Sequence, residues 1–342
     1  MWSCERHMTP RENVKNILTR KGGTGAFWTG HPNDKTVPIY AKKWKIEPER
    51  EAIYQFLNDD CRWVMADSAY KHPDGHLPFI PNTGETRDKS GERDILAGAE
   101  TIEDIDKFPW PDVKYLDFTD VYAEIDKFPD KHVFTGMWCP FFHNLADMFG
   151  MENYFIKMHE NPAVVLAATE RAVNFYAEAN EMFFAGLGGR ADTMFFGNDF
   201  GTQLDMFISP EHFIKFILPF FKKIIGVGKK YGKTVMLHSC GSIRRIIPLL
   251  IDAGVDALHP IQAKAVGMDA NSLVKYKNDL AFVGGIDAQS FFVSATPAQL
   301  KNEVRRVRSL LAPNIVISPS HEEILHNVPA ENVLAMAEAA RE

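Results

Sequence analysis

Short β-rich apolar runs recur along the chain and alternate with longer stretches that carry helix signals. The runs cover residues 26–30, 62–67, 132–136, 192–199, 234–240, 255–262, 280–287 and 314–321, and most end in polar residues or glycine. Eight such runs are what a closed parallel barrel requires. Between them, Asn161-Pro162 opens a helix that ends near Gly186, Gly188 and Gly189. Ser209-Pro210-Glu211 opens another that stops at Tyr231-Gly232, and Thr296-Pro297 starts one that runs to about Leu311. Each sets an N-cap residue before a proline at the first helical position. A last helix begins near Pro329 and carries Val333, Leu334 and Met336 at helical spacing. The stretch 213–221 has apolar residues three and four apart and reads as a core face.

Strands separated by helices form right-handed βαβ units and hence a parallel sheet. The fold class expected is α/β: a (β/α)8 TIM barrel, one domain over residues 1–342, with N-terminal helical and loop extensions. Residues 31–61 and 68–131 are long and irregular, broken by Pro73, Pro78, Pro81, Pro109, Pro111 and Pro129. Extra helices and loops covering the barrel mouth are expected there. An open doubly wound sheet is the competing architecture, but no GxGxxG follows the first run, which weakens its dinucleotide-binding version.

Composition narrows the function. The 342 residues are 45% hydrophobic, enough for a large core, and 38 basic against 45 acidic residues leave a net charge of −7. That balance argues against nucleic-acid binding, which needs a basic surface. No segment approaches the ~18 uninterrupted apolar residues of a membrane span. The start, MWSCERHMTP, is charged and lacks the apolar stretch of a secretory signal. Cys4, Cys61, Cys139 and Cys240 are far apart and form no CxxC pair, so a reducing, cytoplasmic location is expected.

In such barrels the reactive residues sit at strand C-termini and on the loops that follow. His238 and Cys240 form an HxC pair at the end of the fifth run, and residues two apart on a strand share a face. Zinc takes thiolate and imidazole together, which makes the pair a candidate metal site. His321, at the end of the eighth run, is the candidate third ligand, with Glu322 or Glu323 as a fourth. Asp199 follows the apolar Met194-Phe195-Phe196, where burial is expected to raise its pKa and suit it to proton transfer. Asp67 is a second candidate acid or base, although either carboxylate can instead cap a loop. His31, His143, Gln203, His259, Gln262 and Asp287 are candidate substrate contacts, with core packing as the alternative for His143, loop satisfaction for Gln203 and Gln262, and a loop cap for Asp287.

The chain resembles the uroporphyrinogen decarboxylase superfamily, in particular its methyltransferase-like members. The likeness lies in NDFGTQ, SPEHF, LHSCGSI, AGVDALHPIQ, GGID and VPAENVLA across residues 198–340, with a weaker echo in MTPRENV at 8–14. It implies a (β/α)8 barrel with its site at the C-terminal mouth. Decarboxylases of the family carry an arginine-bearing motif near the first strand; the matching GAFWTGHPND has no arginine, which argues against tetrapyrrole decarboxylation. The zinc methyltransferases bind metal through an HxC pair, matched by His238 and Cys240, plus a later cysteine. No cysteine follows Cys240, and His321 falls near the expected place. The resemblance thus implies a metal-dependent enzyme that moves a methyl group between a small substrate and a corrinoid protein or a thiol, with zinc as Lewis acid. A metal-independent decarboxylase or lyase using Asp199 or Asp67 is the alternative, and a non-catalytic barrel that binds sugars or organic acids is a third reading. A homodimer is the expected assembly.

Overall fold

The computed structural model describes residues 8–79 and 95–342. Its strands are β1 (His31–Pro32), β2 (Cys61–Trp63), β3 (His132–Thr135), β4 (Thr193–Gly197), β5 (Thr234–His238), β6 (Ala257–Ile261), β7 (Ala281–Ile286), β8 (Ile315–Pro319) and β9 (Glu323–Ile324). β2 to β8 form one parallel sheet in sequence order, and β1 pairs only with β9. The sheet is barrel-like but not fully closed.

The expected first strand at 26–30 is therefore corrected. Phe27 forms an isolated bridge to Ile317, whose N–H donates to Ala26 O and whose carbonyl accepts from Trp28 N–H. On the other side, Phe27 N–H goes to Asp60 Oδ2 at 2.8 Å and Thr29 N–H to Asp59 Oδ2 at 2.6 Å. Carboxylates take donors that the β2 carbonyls would accept in a continuous ladder, so the strand is interrupted there. Asp59 is completely buried, and burial lifts its pKa to about 6 against the hydrogen bonds that it accepts.

The barrel interior is filled by Trp28, Phe134, Phe195, Met236, Val283 and Val316. Val14, Ile17 and Leu18 of the Pro10–Leu18 helix join this cluster and plug the end where the strands begin. Thr9 and Glu12 form a reciprocal capping box at that helix start. A larger apolar layer fills the space between sheet and outer helices.

The helices expected after Asn161, Thr296 and Pro329 are present as Pro162–Leu187, Pro297–Leu311 and Ala330–Arg341. The one opened by Ser209 is split into Pro210–Phe216 and Leu218–Lys230. Pro219 has no N–H to offer the preceding turn, and Ile217 at φ −120° marks the break. Residues 31–61 hold the extra helices Thr36–Trp44 and Arg50–Phe56. In 68–131, Ile102–Asp106 and Thr119–Ile125 are helical, while residues 80–94 lie outside the described residues. Among the described residues, no helix is long and apolar enough to cross a membrane.

His132 ties the plug to the sheet. Its Nδ1 lies 3.2 Å from Arg11 O and its Nε2 2.8 Å from Thr193 Oγ1. Burial lowers its pKa from the usual imidazole value of 6.5 to about 4. The folded state then binds fewer protons than the unfolded state, so His132 contributes stability above pH 6.5 that is lost as pH falls toward 4. His132→Gln is expected to flatten the acid arm of a stability–pH curve by on the order of 3 kcal/mol. Urea unfolding at a series of pH values measures this, and parallel curves for both proteins would refute it.

Candidate functional site

His238 ends β5, and Cys240 lies two residues on, before a turn at Gly241. The loop after β4 brings Asp199 against them. Its Oδ1 accepts the Cys240 N–H at 2.8 Å and lies 3.2 Å from His238 Nε2. One ligand atom each from Asp199, His238 and Cys240 falls within 4.8 Å of the others. Cys240 Sγ is 3.5 Å from His238 Nε2. Glu322, from the loop after β8, places Oε2 4.0 Å from the same nitrogen. That oxygen is buried and has no hydrogen bond among the described residues. A buried carboxylate oxygen without a hydrogen bond, beside the imidazole, fits a cation, and the mixed S, N and O donors suit zinc.

Two loops must touch for this geometry. Gly241 has φ +78°, and a Cβ there would lie 2.1 Å from Gly201 O. The loops after β4 and β5 thus meet backbone to backbone, which brings Asp199 to the Cys240 N–H. Gly197 plays a similar part for Trp138: a Cβ would lie 2.4 Å from the Trp138 ring. That ring sits 5.0 Å from the His238 ring.

Electrostatics correct one expectation. Burial pushes the Asp199 pKa up, but hydrogen bonds from His238 and the Cys240 N–H, with the charges of His238 and His143, outweigh it and hold the carboxyl at about 2. Asp199 is therefore a fixed anion and not a carboxyl raised toward neutrality. Burial, followed by the nearby Asp199 and Glu322, pushes the Cys240 thiol up. Asp67 behaves as Asp199 was expected to. It lies in the short 3-10 helix Ala66–Ala69 after β2, its Oδ2 accepts Trp138 N–H at 2.9 Å, and burial lifts its pKa to about 6.

The other named residues separate by location. His259 is fully buried, with Nδ1 3.0 Å from His238 Nδ1 and its ring 4.9 Å from Trp28. Burial and the neighbouring His238 push its pKa well below the usual imidazole value. The two Nδ1 atoms must share one proton, so His259 orients His238 from beneath. His143, on the helix Phe141–Phe149, reaches Asp199 Oδ2 at 3.9 Å. His321 accepts the Glu323 N–H on Nδ1 at 3.0 Å, and its Nε2 lies 3.9 Å from Glu322 Oε2. It stands beside the Asp199–His238–Cys240 group and is not among its three members. Gln203 donates to Gln262 Oε1 at 3.2 Å, which also accepts the Gly241 N–H at 2.9 Å, so both glutamines tie loops together. Asp287 accepts from Gln289 N, Ser290 Oγ and Phe291 N and caps its own loop. His31 faces Trp63 edge-on at 6.0 Å and lines a cavity of about 680 Å³ with Arg50 and Arg62. Sequence reasoning missed Trp138 and the orienting role of His259. The only local signal for the first is a tryptophan just after the third run.

His259→Phe is expected to keep the fold, since the pocket is aromatic, but to weaken metal binding about 10–100-fold by freeing the His238 ring. Competition with a chromogenic chelator measures this; an unchanged affinity would remove His259 from the site.

The family model described as uroporphyrinogen decarboxylase (URO-D) matches residues 99–342. Among curated proteins, none matches. Among solved structures, the chain is similar to a methyltransferase from Methanosarcina mazei, with TM-score 0.66 and 16% identity, over 98% of both chains. At that identity the likeness concerns the fold.

Proposed function

The chain belongs to the uroporphyrinogen decarboxylase family, and on that premise we propose that it is a metal-dependent methyltransferase. It would move a methyl group between a small substrate and a corrinoid protein or a thiol. The observation that carries this reading is the convergence of His238 Nε2, Cys240 Sγ and Asp199 within 4.8 Å, faced by the orphaned Glu322 Oε2. The solved methyltransferase of the same fold supports it.

His238 and Cys240 would hold zinc, with Asp199 and Glu322 as oxygen donors. His321 stands close enough to Glu322 to orient that carboxylate or to join the ligand set. Bound there, the ion supplies Lewis acidity to a thiol or to a methoxy or hydroxy oxygen. The protein residues do the rest. Asp199, held at about 2, is a permanent anion that fixes the Cys240 backbone through its N–H. His259 sets the His238 tautomer. Trp138 and Phe195 wall the histidines on the barrel side and keep water from them.

Asp67 favours a second reading, a metal-independent decarboxylase or lyase. With a pKa lifted to about 6, it can exchange a proton near neutrality, which Asp199 at about 2 cannot. One assay separates the two. Methyl transfer from a methoxylated substrate to free cob(I)alamin is expected to vanish on chelation and return with zinc. Release of carbon dioxide that survives chelation and falls about 10²–10⁴-fold in Asp67→Asn would establish the second reading instead.

A further inference from the structure

Outside the barrel mouth, the loop after Tyr70 gathers His72, Asp74 and His76, with one ligand atom of each within 4.8 Å of the others. The local sequence HPDGH builds this arrangement. Pro73 presets the second position of a turn, Gly75 takes φ +73° at the fourth, and its N–H donates to His72 O at 2.9 Å. The turn is anchored on its neighbour segment. Lys71 N–H donates to Tyr115 O at 2.8 Å, Tyr70 bridges Leu116, and the His72 ring packs against Tyr115 at 4.3 Å. The two imidazoles stack at 4.6 Å with only 4° between their planes. Asp74 N–H donates to His72 Nδ1 at 3.2 Å, so Nδ1 is the unprotonated nitrogen and an ion bound there would displace this N–H; Asp74 Oδ2 lies 3.9 Å from it. A cleft of about 400 Å³ lined by Phe79, Trp110 and Tyr115 opens beside the three side chains.

We propose that His72, Asp74 and His76 form a separate, solvent-facing site for a divalent transition-metal ion. Two imidazoles and one carboxylate match zinc, nickel or copper, whereas calcium and magnesium call for oxygen donors alone. Tetrahedral zinc with bonds of about 2.0–2.1 Å holds its ligand atoms roughly 3.3–3.5 Å apart. The 3.9 Å between His72 Nδ1 and Asp74 Oδ2 is close to that, and the two imidazoles, parallel in the stack, would turn toward each other for their in-plane lone pairs to meet on one ion. The turn is already closed by Pro73 and Gly75, so little loop entropy is lost on binding. The cleft leaves the ion an open position for water or a small anionic or aromatic ligand. This site shares no residue with the His238–Cys240 cluster and does not depend on the methyltransferase reading.

Zinc titration of the chelator-stripped full-length protein, followed by calorimetry, tests the proposal. The His72→Ala/His76→Ala double variant is expected to bind one equivalent of zinc fewer than the parent; an unchanged count overturns the site. Asp74→Asn retains the turn and is expected to weaken that equivalent at least about tenfold. Unaltered zinc affinity in Asp74→Asn would likewise overturn it. Cys240→Ser must retain the loop equivalent, so failure of the barrel-mouth site and failure of this one give different results.

Discussion

Cys240→Ser is expected to lower the zinc content of the dialysed protein at least about tenfold. Serine nearly matches cysteine in shape and keeps the backbone N–H that Asp199 accepts at 2.8 Å, so the loop after β5 should stay in place. What changes is the donor. A thiolate is a strong zinc ligand, whereas a serine hydroxyl stays protonated at neutral pH and binds poorly. Two carboxylates, Asp199 and Glu322, then face His238 without the soft donor that selects zinc. Cys139→Ser is the control. That thiol is buried, donates to Met137 O at 3.2 Å and accepts from Asn180 Nδ2 at 3.3 Å, contacts that a hydroxyl can replace. Elemental analysis of both variants decides the matter: equal metal in Cys240→Ser and the parent would remove Cys240 from the ligand set.

Gly241→Ala is expected to cost about 2–5 kcal/mol of stability and to abolish metal binding. The new Cβ would stand 2.1 Å from Gly201 O and 2.2 Å from Gly201 C, atoms of a backbone that cannot rotate away. The backbone at φ +78° adds strain for any residue with a Cβ. The loops after β4 and β5 must part, and Asp199 then loses the Cys240 N–H. Gly232→Ala separates the two contributions, because φ is +66° there but nothing lies within 4 Å. It should show the conformational cost alone, about 1–2 kcal/mol, and retain its zinc. Denaturant midpoints and metal content measure both variants. Similar losses for the two would mean that the close approach of the loops is not what builds the site.

Much of the frame is written in local sequence. The helix starts at Ser209 and Thr296 rest on side-chain acceptors that bond His212 N–H and Gln299 N–H three residues on. Seven of the eight β-rich runs became ladder strands, because each holds enough apolar residues to be buried on both faces. The first run, 26–30, failed for a reason no window around it contains: Asp59 and Asp60, some thirty residues on, take its N–H groups. The helix after Ser209 breaks at a residue visible in the sequence, Pro219, although the apolar spacing runs straight through it.

The candidate site divides along the same line. That His238 and Cys240 share a face followed from the strand period, since residues two apart point the same way whatever the rest of the chain does. The sign of the Asp199 pKa shift did not follow. It depends on donors 39 to 56 residues away in sequence, the His238 ring, the Cys240 N–H and His143, and only folding brings them to one carboxylate. Likewise His259 reads as a mouth residue in the sequence, yet it is the register partner of His238 across β5 and β6, and its buried ring bonds to that histidine. Periodicity and caps are decided within a few residues, so the sequence alone determined the order of elements and the HxC pair. Protonation, orientation and the approach of Glu322 to His238 are set by distances across the barrel mouth, and those distances exist only once the strands have paired.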